Sequence, residues 1–108
     1  MSLQELNFKF KVENPKSISK EWFHFGVVGS GDLEVLIERK DLSGATQVKV
    51  VTPVVGYEKI WEMVLDKFVS EYSLGDLSIE INDNNATPVV VSMRLRQALI
   101  EANRPEEG

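Results

Sequence analysis

The chain has no cysteine, which excludes disulfides, thiolate nucleophiles and cysteine-based metal sites. It has a single histidine, His24, too few for a histidine metal cluster and a thin basis for general-base catalysis. No stretch approaches the roughly 18 apolar residues that a membrane span requires, so no membrane partner is expected. Met1-Ser2-Leu3-Gln4 has neither the basic nor the apolar region of a secretory signal, and the expected compartment is cytoplasmic. Basic residues are also scarce. Lys plus Arg total 12 against 17 Asp plus Glu, a formal net charge of −5, which argues against nucleic acid. A phosphate-binding Gly-x-x-x-x-Gly-Lys run is absent. Asn82-Asp83-Asn84-Asn85 lacks the length and spacing of a calcium loop. Neither a metal nor a catalytic residue is assigned.

What is present is the patterning of one compact domain of 108 residues, its core running from about 6 to 102 and its ends fraying or appended at Met1-Ser2-Leu3 and Glu107-Gly108. Leu6, Phe8, Phe10 and Val12 alternate with polar residues at the period of a half-buried strand. A second strand is expected from Trp22 to Val28. A third runs from Leu33 to Arg39, with Leu33, Val35 and Ile37 on one face and Glu34 and Glu38 on a solvent face. A turn at Asp41-Leu42-Ser43-Gly44 leads to a fourth strand over Gln47 to Thr52. Short connections make an antiparallel meander the simplest pairing. The period then lengthens: Ile60, Trp61, Val64, Leu65, Phe68, Val69 and Tyr72 form one stripe of an amphipathic helix. Its Trp61 and Phe68 read as core rather than as cofactor ligands.

Beyond Gly75-Asp76 a fifth strand alternates Leu77, Ile79 and Ile81 with Ser78 and Glu80, and ends in a polar turn at Asn82 to Asn85. Thr87-Pro88 signals a helix start. Val91, Leu95, Ala98, Leu99 and Ala102 mark that helix's buried face, with Arg94, Gln97 and Glu101 in water; Pro105-Glu106-Glu107 should fray. The expected fold is α+β: a mainly antiparallel sheet of about five strands packed by two amphipathic helices.

One segment stands apart. Gly26-Val27-Val28-Gly29-Ser30-Gly31-Asp32 places Ser30 between two glycines, in a turn joining two strands. Gly, Ser and Asp favour tight turns for local reasons alone, so an unmodified hairpin is one reading. The other is a hydroxyl displayed for covalent modification. Independent hydrolase chemistry fits poorly, because the glycines touch the serine directly instead of forming Gly-x-Ser-x-Gly, and His24 is the only imidazole for a base.

The stretches Gly26 to Leu36 and Leu77-Ser78-Ile79-Glu80-Ile81-Asn82-Asp83-Asn84-Asn85-Ala86-Thr87-Pro88, in that order, resemble the acyl-carrier (delta) subunit family of malonate decarboxylase. The second stretch is also similar to the citrate lyase acyl carrier. The helical carriers of fatty-acid synthesis, with Asp-Ser-Leu at a helix start, are not matched. The resemblance implies a carrier that is not itself an enzyme. In it Ser30 is esterified to 2'-(5''-phosphoribosyl)-3'-dephospho-CoA, Gly29 and Gly31 leave the hydroxyl uncrowded, and Asp32 either assists the arm or is an ordinary turn residue. A chain without cysteine must borrow its thiol, which agrees. The implied partners are acyl-transferase and decarboxylase subunits and a prosthetic-group transferase. Alternatives are a citrate-lyase-type carrier, a structural or interaction subunit with an unmodified glycine hairpin, and a stand-alone esterase.

Overall fold

The computed structural model describes residues 3–105; of the expected frayed ends, Met1, Ser2 and residues 106–108 lie outside the described residues. Five strands and two helices follow in the order β1 (Gln4–Lys11), β2 (Trp22–Gly26), β3 (Asp32–Arg39), β4 (Ala45–Thr52), α1 (Glu58–Glu71), β5 (Leu77–Asn84) and α2 (Pro88–Ala102). The α+β class and the strand and helix faces are as the periodicity indicates.

The pairing is not a meander. The strands lie in the order β1-β4-β5-β3-β2, so β3 and β4 are not neighbours. β5 occupies the slot between them, antiparallel to β3 and parallel to β4. The reason is visible in the connections. β4 passes into β5 through α1, and a helical crossover returns the chain in the same direction. The link from β3 to β4 spans the entry of β5 and is tied to it: Asp76, just before β5, accepts hydrogen bonds from the Leu42 and Gly44 amides at 3.1 and 2.8 Å. The sheet is therefore mixed, with three antiparallel pairings and one parallel.

β5 is the central strand, and its inward residues Leu77, Ile79 and Ile81 are wholly buried, as are Leu33, Val35 and Ile37 of β3. On this face lie Trp61, Leu65, Phe68 and Val69 of the stripe expected for α1, with Val64 and Tyr72 partly buried and Ile60 exposed instead, and the whole stripe expected for α2: Val91, Leu95, Ala98, Leu99 and Ala102. The opposite face, which includes Trp22, His24, Glu34, Glu80 and Lys49, carries no helix. Since α1 follows β4 and α2 follows its parallel neighbour β5, both helices begin at the same end of the domain. β3 begins at that end too, antiparallel to β5. The turn bearing Ser30 is thereby set at the same end of the domain as both helix starts.

Candidate functional site

β2 stops at Gly26, earlier than the expected Val28, and Val27 and Val28 continue as exposed irregular chain. A tight turn follows, closed by the Asp32 amide donating to the Gly29 carbonyl at 3.0 Å. Ser30 and Gly31 are its central residues. Gly31 has φ +74°, the left-handed backbone that the second central position of a type II turn demands and that glycine adopts without strain. The Gly31 amide donates to the Asn84 carbonyl at 2.7 Å, which fastens the turn to the end of β5.

Ser30 is exposed at the tip. Within the described residues, no hydrogen bond engages its hydroxyl. A Cβ built on Gly29 or on Gly31 would meet nothing within 4 Å, so the space on either side of the serine is open. The turn is held from below by its backbone while its side chain stays free. That arrangement suits a hydroxyl that another enzyme must reach.

Asp32 is not an ordinary turn residue. Its carboxylate receives both Nε (2.9 Å) and Nη2 (2.8 Å) of Arg94 on α2, a bidentate pair with both side chains less than a third exposed. The same carboxylate also accepts from the Leu33 amide at 2.8 Å. The Arg94 bonds, and next the Leu33 amide, hold its pKa below the usual carboxylate range. Arg94, expected in water, is thus the strut between α2 and the strand that the Ser30 turn feeds; its Nη1 also donates to Gln97 at 3.1 Å. Sequence reasoning missed this residue. Its one local signal is a place next to Leu95, at the margin of the buried stripe; the partner sits 62 residues away.

Two residues further along β3, Glu34 joins two neighbouring strands. Its carboxylate lies 3.0 Å from His24 Nε2 on β2 and accepts from Asn82 Nδ2 on β5 at 2.8 Å. Contact with His24 first, and Asn82 second, depresses its pKa. His24 is a half-exposed strand residue held by Glu34, and nothing places it against Ser30. Asn82, Asp83 and Asn84 lie within β5 rather than in a turn, which corrects the expected break; the left-handed residue is Asn85, φ +65°. Asp83 is buried, accepting from Thr52 Oγ1 at 2.8 Å and from the Ala86 amide at 3.0 Å. Thr87 caps α2 by accepting from the Val90 amide, with Pro88 in the first turn, as expected.

Ser30, Gly29, Gly31 and Asp32 are therefore together, but Asp32 points its charge to Arg94. No three or more acidic, histidine or cysteine residues cluster to hold a metal among the described residues, and no described helix is long and apolar enough to cross a membrane.

Residues 20–102 match the family model described as malonate decarboxylase delta subunit. The malonate decarboxylase acyl carrier protein of Malonomonas rubra is 56% identical over 98% of this chain and 95% of its own length. That of Acinetobacter calcoaceticus is 40% identical over 84% and 90%. A chain of the crystal structure of a Pseudomonas malonate decarboxylase hetero-tetramer in complex with malonate superposes with a TM-score of 0.80 at 33% identity, covering 92% of this chain and 98% of that one. The chain belongs to the malonate decarboxylase delta subunit family.

Proposed function

We propose that this protein is the acyl carrier subunit of malonate decarboxylase, with acetyl and malonyl groups carried on 2'-(5''-phosphoribosyl)-3'-dephospho-CoA joined by a phosphodiester to Ser30. The observation that carries the reading is an exposed serine hydroxyl, flanked by two open glycines, in a chain with no thiol of its own. The residues fit such an arm. Ser30 supplies an uncrowded alcohol oxygen for the phosphodiester bond. Gly29 and Gly31 leave room for the transferring enzyme, and the Gly31–Asn84 bond fixes the turn against β5.

When bound, the arm supplies a thiol whose thioester carbonyl can delocalise the charge left as carbon dioxide departs. This chain contributes position. Its tether makes transfer between partner active sites intramolecular, at high effective concentration. Asp32 is committed to Arg94 and Glu34 to His24 and Asn82, so neither is free as an acid or base toward Ser30. On this reading the protein is a non-catalytic cytoplasmic carrier, its partners being acyl-transferase and decarboxylase subunits and the enzyme that attaches the arm.

Intact mass spectrometry after co-production with the attaching enzymes tests this. A coenzyme-A-sized adduct is expected on the native protein and none on Ser30→Ala. An unshifted native mass contradicts the proposal. An interaction subunit would bind its partners without any adduct, and an esterase would label with a fluorophosphonate at Ser30.

A further inference from the structure

The first turns of α1 and α2 border a small cleft at the same end of the domain as the Ser30 turn. Ala86 and Pro88 line it, facing Val54, Trp61 and Val91, with Tyr57 also among its walls. Its cavity measures about 20 Å³, enough for one small group, since a single water needs about 10–15 Å³ by the same kind of measure. Asn84, which fastens the Ser30 turn, precedes Pro88 by four residues, a span of at most about 14 Å. Ser30 adjoins Gly31, which is bonded to Asn84, so an arm of coenzyme A length anchored at Ser30 is long enough to reach the cleft.

The walls are mainly apolar, and no lysine, arginine or histidine is among the lining residues. The one carboxylate there, Asp83, has both oxygens occupied by Thr52 and the Ala86 amide. A neutral methyl gains by entering. A second carboxylate would lose its water, meet Asp83 and find no cation. Building on the carrier reading above, we infer that this cleft takes the acetyl end of the arm and rejects the malonyl end. The protein then sorts its two loaded states by charge, sheltering the acetyl thioester and leaving the malonyl thioester out for a partner.

The test uses full-length carrier with Trp22→Phe, which leaves Trp61 as the sole tryptophan. Trp22 is an exposed residue of β2, outside the cleft. Loading is verified by mass, and acetyl-loaded, malonyl-loaded and Ser30→Ala proteins are compared by NMR at the Trp61 indole and Ala86 amide. The acetyl form is expected to shift both resonances, while the malonyl form stays at the Ser30→Ala positions. Burial of one methyl favours the sheltered state about fourfold. Acetyl should therefore resist hydroxylamine by a similar factor relative to acetyl-CoA, and malonyl should match malonyl-CoA. Ala86→Leu, at a half-buried wall position, should erase both effects. Correct loading with identical spectra and no protection overturns the inference and leaves the carrier reading intact; equal shifts in both loaded forms overturn the charge selection. Failure to load Ser30 at all overturns the carrier reading and the inference with it.

Discussion

The two ends of the sheet use glycine for opposite purposes. At the Ser30 end, Gly29 and Gly31 border empty space. At the other end, Gly75 is buried where a Cβ would land on the Pro15 ring and the Gly44 carbonyl. There the chain is laced tightly: the Lys16 amide donates to Ser73, the Gly75 amide to Lys16, Ser17 Oγ to the Asp76 carbonyl, and the Leu42 and Gly44 amides to the Asp76 carboxylate. Gly75 is required because matter is in the way, as is Gly26 beside the Leu33 carbonyl, whereas the two glycines flanking Ser30 stand where nothing is. A glycine that packing does not require is free to serve access, and that contrast gives Ser30 its meaning.

The contrast can be broken by substitution. The largest effect is all or none: Ser30→Ala should lose the arm completely while its unfolding free energy stays within about 0.5 kcal/mol of wild type, as surface changes do. Gly75→Ala should destabilise by about 3 kcal/mol from overpacking, read by chemical denaturation. Gly31→Ala meets no clash but must hold a left-handed backbone, so a loss of about 1 kcal/mol is expected. Gly29→Ala, with neither clash nor positive φ, should change stability by less than about 0.5 kcal/mol yet slow attachment at Ser30. Equal destabilisation by Gly29→Ala and Gly75→Ala would erase the distinction.

Acid sharpens the comparison, because each end is held by a carboxylate. Asp32 is kept below its usual range by Arg94 and the Leu33 amide, and Asp76 by the Gly44 and Leu42 amides; Glu34 is lowered by His24 and Asn82. A folded pKa below the unfolded one gives stability that is present above the unfolded value, about 4, and is lost as pH falls through the folded value. Denaturation midpoints should hold between pH 7 and 5 from these groups and decline below about 4. Asp32→Asn and Asp76→Asn should each flatten that decline, and a slope unchanged in both variants would contradict the assignment.

Much of this was legible from local pattern. The inward residues of β3 and β5, the buried stripe of α2 and the Thr87-Pro88 start all follow from period and capping, which neighbours in sequence determine. The exposed turn at Ser30 was legible for the same reason, since its glycines adjoin it. Strand order was not, because the position of β5 between β3 and β4 depends on the α1 crossover and on Asp76 reaching back to Leu42 and Gly44. Arg94 was misplaced in water because helical spacing says which face a residue occupies and nothing about a carboxylate on another element. The cleft between the helix starts was equally hidden, being lined by two segments far apart in sequence, residues 54–64 and 83–91.

The most direct measurement is peptide-resolved mass mapping of carrier isolated from cells producing the whole complex. One coenzyme-A-sized modification is expected, confined to the peptide containing Gly29-Ser30-Gly31 and located on the serine. A modification on any other hydroxyl, or fully active complex with that peptide unmodified, would contradict it.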